Sequence, residues 1–179
     1  MLKVDECGFR MTSERKPLST EDAIYFAGLF DGEGTIVIEK LSHLRASRPG
    51  GRTPQYNLRI AMSNTNFDLM RWVKATFGGS LCQSRWAGRS KAKADALKWS
   101  TSCGNAAYIL GRILPYLKAK RTEAELGLAF NAYASSNICP RMPHKGIHGT
   151  LPVSIQILET KESYRLQMRA LKTVYKQYS

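Results

Sequence analysis

The stretch YFAGLFDGEGTI, residues 25–36, joins a small-residue apolar helix to a β-branched strand through an acidic, glycine-flanked corner. Asp31-Gly32-Glu33-Gly34 sets two carboxylates where a helix ends and backbone carbonyls can be presented, a chemistry suited to a hard divalent cation. Upstream, Ser19-Thr20-Glu21-Asp22 reads as a helix start: a hydroxyl N-cap, then two acids in the first turn that offset the helix dipole. Ala23 to Phe30 is apolar nearly all round, so this helix is expected to be buried on more than one side. Ala23 and Ala27, and then Gly28 and Gly32, recur four apart, forming stripes along which another backbone can approach closely.

The whole chain supports a folded, basic protein. Its 179 residues are 43% hydrophobic and 23% charged, ordinary values for one globular domain. Lys and Arg total 27 against 14 Asp and Glu, a formal net charge of +13. Such a surplus is self-repelling unless a polyanion offsets it, and nucleic acid is the commonest such partner. The sequence has no 18-residue apolar run and no helix pairing a lysine-rich face with a bulky apolar one, which argues against a membrane. The early acids Asp5 and Glu6 and the lack of an apolar signal core argue against secretion and predict an intracellular protein. Cysteines 7, 82, 103 and 139 read as buried, reduced thiols. Cys139, His144 and His148 have a C-x4-H-x3-H spacing but lack a fourth zinc ligand.

Residues 1–18 read as a polar N-terminal arm and 19–179 as a single domain. A strand is expected over Thr35–Leu41, then a basic, Gly/Pro-broken loop at 42–54. The next strand alternates: Tyr56, Leu58, Ile60 and Met62 face one way, while Gln55, Asn57, Arg59 and Ala61 face the other. Asn64-Thr65-Asn66 caps a helix through Phe77, which Gly78-Gly79 stops. Strands at about 80–86 and 96–101 flank a second basic loop at 87–94, and Leu97 and Trp99 point to the core. Helices follow at about 104–114, 120–135 and 154–176, with an irregular span at 137–152. The order α-β-β-α-β-β-α with trailing helices predicts an α+β fold on one antiparallel four-stranded sheet. Helices cover its apolar face. The other face, polar and basic, suits the major groove of double-stranded DNA. Residues expected to contact DNA are Glu39, Gln55, Asn57, Arg59 and Lys98 on the strands, with Arg45, Arg48, Arg52, Arg85, Arg89 and Lys91 in or beside the loops.

Phe26-Ala27-Gly28-Leu29-Phe30-Asp31-Gly32-Glu33-Gly34 resembles the nine-residue motif of the LAGLIDADG homing endonucleases, and the element order resembles that family's αββαββα core subunit. The resemblance runs from about Ser19 to about residue 135. It implies that motif helices of two halves cross at the molecular centre, each delivering one acid to one scissile phosphate. A chain with one motif, as here, would do so as a homodimer. Glu33 would bind Mg²⁺ (or Mn²⁺) with the Gly32 carbonyl, Lys120 would stand near the cleaved phosphate with Lys118 as second choice, and Asn64 would organise the attacking water. Asp31 would orient the helix end. The implied activity is that of a homing endonuclease making staggered double-strand cuts in a long pseudo-palindromic DNA site. The alternative is an intron RNA maturase or a non-cleaving DNA-binding protein on the same fold.

If the basic surplus serves DNA, binding is strongly salt-dependent. With about 6–10 phosphate contacts, affinity measured by fluorescence anisotropy falls about three to five orders of magnitude between low and moderately high salt. A salt-independent binding constant would contradict it.

Overall fold

The computed structural model describes residues 18–41, 54–84, 96–137 and 153–177. Helix α1 (Thr20–Glu33) leads into β1 (Gly34–Leu41), followed by β2 (Gln55–Asn64), α2 (Phe67–Phe77), β3 (Ser80–Ser84), β4 (Ala96–Ser102), α3 (Cys103–Ile113), a short 3-10 turn (Leu114–Tyr116), α4 (Arg121–Ser136) and α5 (Ile155–Gln177). The four strands form one sheet in the order β1-β2-β4-β3, every pair antiparallel. The fold is thus α+β on a four-stranded antiparallel sheet, as the sequence pattern predicts. The 3-10 turn is not in that pattern; Pro115 early in it cannot continue the hydrogen-bond ladder of α3.

Alternation fixes the sheet's two faces. Ile36 and Ile38, then Tyr56, Leu58, Ile60 and Met62, and Trp99 all lie buried beneath the helices. Gln55, Asn57 and Arg59 point the other way, but Ala61 on that face is also buried, being too small to reach past its neighbours. Phe26 of α1 stacks on Phe77 of α2 at 4.0 Å and meets the Trp99 ring edge-on at 5.7 Å. The Trp99 indole nitrogen donates to the Gly78 carbonyl at 2.6 Å, so burying it leaves no orphan donor. Gly79 has a φ of 83°, and a Cβ there would lie 2.7 Å from the Ser100 carbonyl, so glycine is required. Gly34 is constrained differently: its Cβ would fall 2.3 Å from the buried Phe30 ring, which keeps the corner between α1 and β1 tight.

Two expectations need correction. Helix α1 buries Ala23, Phe26, Ala27 and Phe30, but its opposite side, with Ile24, Tyr25 and Gly28, stays exposed in the single chain. The cysteines are not uniformly buried. Cys82 and Cys103 are free but exposed, because Cys82 lies on the outer face of β3 opposite Lys98 and Cys103 begins α3 at its solvent end. The arm 1–17, most of both basic loops, Arg45, Arg48, Arg52, Arg85, Arg89, Lys91, and the Cys139–His144–His148 group lie outside the described residues.

Helix α5 is anchored at the far end of the first hairpin by one acid. Glu162 accepts from the Tyr56 hydroxyl at 2.6 Å and from Lys40 Nζ at 3.2 Å, and pairs with Arg165. Arg165 foremost, then the Tyr56 hydroxyl and Lys40, hold its carboxyl down to about 2 from an ordinary 4.5. A depressed carboxylate stabilises the fold fully above its unfolded value, and that stabilisation is lost as pH falls through the folded one. In urea titrations between pH 5 and 2, the stability gap between wild type and Glu162→Gln is therefore expected to shrink steadily. A constant gap would mean that the clasp is not electrostatic.

Candidate active site at the end of helix α1

Helix α1 ends by passing directly into β1, with the Gly34 amide closing the last turn on the Phe30 carbonyl. Asp31 and Glu33 therefore sit at the negative end of the helix dipole, and the last turn carries no basic residue. The two acids are used differently. Asp31 accepts the backbone amides of Lys118 at 2.6 Å and Lys120 at 3.0 Å, tying the segment before α4 to the motif. The Lys120 ammonium then donates to the Asp31 carbonyl. Of the two lysines, Lys120 is the half-buried one turned to the helix end, while Lys118 is exposed. Asp31 thus orients more than its own helix end: it fixes a segment 87 residues away.

Glu33 projects into solvent with no cation paired to it among the described residues. Its only side-chain partner among the described residues is Asn64, whose Nδ2 lies 2.8 Å from each carboxylate oxygen. Asn64 in turn accepts the Asn66 amide at 2.7 Å, and Asn66 caps α2 by accepting from Leu69 N. Asn66, not Asn64, is therefore the N-cap, and Asn64 is free to hold the Glu33 carboxylate. An exposed carboxylate oriented by a neutral amide, at a carbonyl-rich helix end, fits a hard cation that keeps most of its waters. Glu33 with the Gly32 carbonyl would be this chain's share of such a site. No group of three or more His, Cys, Asp or Glu occurs among the described residues that could form a metal cage alone.

The open sheet face lies beside this corner. Glu39, Gln55, Asn57, Arg59 and Lys98 share it: Glu39 pairs in register with Asn57, and Ser63 with Lys98. Arg59 is held across three strands by Glu39 at 2.9 Å and Ser100 at 3.1 Å. Its guanidinium is thus partly neutralised within the sheet.

Neither a protein-family profile nor a curated protein sequence matches the chain. Solved structures do. The homing endonuclease I-CvuI, in complex with its target in the presence of calcium, superposes with a TM-score of 0.60 at 14% identity, over 85% of this chain and 82% of that one. The archaeal intron-encoded homing endonuclease I-Vdi141I, complexed with DNA, gives 0.60 at 12% identity over 84% of each chain. The LAGLIDADG homing endonuclease I-GzeII, also on its DNA target, gives 0.56 at 15% identity, over 80% of this chain but 43% of that one. This chain has the LAGLIDADG homing endonuclease fold. Within that fold, Glu33, Asn64, Asp31 and Lys120, widely separated in sequence, converge on the end of α1. Sequence reading missed the tether made by Asp31. It also missed Glu123 and Lys172, which line a cavity with Lys120. Glu123 could be suspected only as an acid on an otherwise apolar helix face, and Lys172 carries no local signal.

Asp31→Ala removes the acceptor for two amides, and leaving such a donor unsatisfied costs about 1–3 kcal/mol. Urea unfolding is expected to show a loss in that range, with Lys120 released from the helix end. An unchanged stability would mean that the tether is incidental.

Proposed function

We propose that the chain is a homodimeric, Mg²⁺-dependent homing endonuclease that makes staggered double-strand cuts in a long, pseudo-palindromic DNA site. The observation that carries this reading is the α1 corner: a solvent-facing Glu33 carboxylate oriented by Asn64, with the Lys120 ammonium on the Asp31 carbonyl two residues away. A protein that merely bound DNA would gain nothing from an unneutralised acid at such a place. The net charge of +13 and the open sheet face with Asn57, Arg59 and Lys98 support a DNA partner. The solved structures of this fold named above are complexes with DNA targets.

Dimerisation is supported by glycines that nothing among the described residues requires. Gly28 and Gly32 lie on the exposed side of α1, and a Cβ at either would meet nothing within 4 Å. A glycine inside a helix costs about 1 kcal/mol relative to alanine, so two of them on one open face need a reason beyond the packing of the described residues. Close approach of a second α1 supplies it, and would cover Ile24 and Tyr25 as well.

Glu33 and the Gly32 carbonyl would hold Mg²⁺ or Mn²⁺, which when bound would supply charge neutralisation on the scissile phosphate and a water made nucleophilic at neutral pH. Asn64 keeps the Glu33 carboxylate in one orientation. Lys120 offers a point charge to the additional negative charge of the transition state. Two copies bring two such corners together, one for each strand.

In a plasmid assay on DNA carrying the flanks of its own gene, Glu33→Gln is expected to abolish cleavage while DNA binding is kept or slightly tightened. Lys120→Met is expected to slow cleavage about a hundred- to a thousandfold, with no rescue by Mn²⁺. Full-rate cutting by Glu33→Gln would overturn the site and leave a non-cleaving DNA-binding protein or an RNA maturase as the reading.

Gly28→Leu puts bulk where the two helices meet, and overpacking costs about 1–3 kcal/mol. Sedimentation is expected to show a wild-type dimer and a weakened or monomeric variant. A wild type that stays monomeric on DNA would refute the half-site model.

A further inference from the structure

Behind Lys120 lies a cavity of ≈ 340 Å³ lined by Thr35, Ala119, Lys120, Glu123 and Lys172. Glu123 is 5% exposed, and its Oε2 has no hydrogen-bond partner among the described residues. Lys172, on α5, donates from Nζ to the Thr35 hydroxyl at 2.8 Å. The two ammonium groups are thus pinned to residues 31 and 35, two residues to either side of Glu33, and the Glu123 carboxylate lines the same cavity as both lysines.

The route by which Lys172 arrives is built into the fold. Glu162 fixes α5 beside Lys40 and Tyr56, at the end of β1 away from the motif. Ten residues of helix then advance about 15 Å. Five residues of β1, from Lys40 back to Thr35, cover about 16 Å. The clasp at Glu162 therefore sets the register that delivers Lys172 to the motif end. Without Glu123, two like charges would share a cavity with no counter-charge. Without Lys172, a buried carboxylate would lean on Lys120 alone and compete with the Asp31 carbonyl for its ammonium.

We propose that Glu123 and Lys172 are positioning residues for Lys120: the buried carboxylate and the second ammonium hold the Lys120 side chain at the end of α1, where it acts on the phosphate. This rests on the nuclease reading for what Lys120 does, but not for where it is held. Burial raises the Glu123 carboxyl, against the pull of Lys172 and Lys120, and burial lowers Lys172, against the pull of Glu123. Both directions are those of charges confined together away from water.

The test uses the full chain and three variants: Glu123→Gln, Lys172→Met and the conservative Lys172→Arg. In the DNA-free protein, ¹H–¹⁵N NMR of lysine side chains is expected to show the Lys120 ammonium protected from water exchange. That signal should be lost in Glu123→Gln and Lys172→Met and recovered in Lys172→Arg. On DNA carrying the flanks of the gene, with Mg²⁺, the first two variants should lower the single-turnover rate at saturating protein on the order of a hundredfold, as expected for a misplaced catalytic group. Their DNA affinity should stay close to wild type, any fall in melting temperature should be too small to account for the lost rate, and Lys172→Arg should recover most of the rate. An unchanged Lys120 signal in both variants, or rates that fall only in step with melting temperature, overturns the proposal. An altered signal in a protein whose wild type never cuts DNA supports the positioning and sinks the nuclease reading instead.

Discussion

The arrangement depends on an electrostatic imbalance at one helix end. Helix α1 terminates with Asp31 and Glu33 among carbonyls at the negative pole of its dipole, and no basic residue of its own lies in the last turn. At a surface each such unfavourable placement costs about 0.3–1 kcal/mol, so the end must be offset from elsewhere in the chain or from outside it. Asp31 is offset internally, by two amides and by Lys120 on the adjoining carbonyl. Among the described residues, Glu33 is offset only by a neutral amide. On the reading proposed above, that residual charge is what a divalent cation would complement.

The same division runs through the packing. One side of α1 is spent on the core, where Phe26 and Phe30 join Phe77 and Trp99, and Gly34 lets the chain turn against Phe30 without a gap. The other side, with Gly28 and Gly32, is left open. A helix apolar on both sides but covered on one is an unfinished structure. The motif thus has a folding role inside the chain and, on our reading, an assembly role outside it. The two roles fall on different residues of the same helix, so they can be perturbed separately.

Much of this was legible in the sequence, for identifiable reasons. Alternation over Gln55–Met62 gives the sheet's faces directly because strand side chains have a period of two. The caps of α1 and α2 announce themselves through Ser19 and Asn66. Glu33 and Lys120 were visible through the motif and the basic segment before α4. What was hidden lies in long-range partnership. Nothing near Lys172 in sequence says that it meets Thr35, 137 residues earlier, because the Glu162 clasp sets that meeting. The different placement of Lys118 and Lys120 was hidden too: both amides bind Asp31, but the Lys120 ammonium is the one turned to the helix end. Asn64 looked like a water-organising group and proved to touch the carboxylate itself. Cys82 and Cys103 looked like core residues because free cysteine is usually buried, a tendency overridden by a place on an outer strand face for Cys82 and at the solvent end of a helix for Cys103.

The central claim is that the end of α1 is a cation site, and its most direct test is the location of a bound metal. Mn²⁺ titrated into the isotope-labelled protein bound to a DNA duplex should broaden backbone amide signals by paramagnetic relaxation. The account predicts that residues 32–35 broaden first, together with 64–66 and 119–120, and that Glu33→Gln removes the effect. Broadening centred elsewhere, on the Glu21–Asp22 turn for example, or none at all with DNA bound, would contradict it.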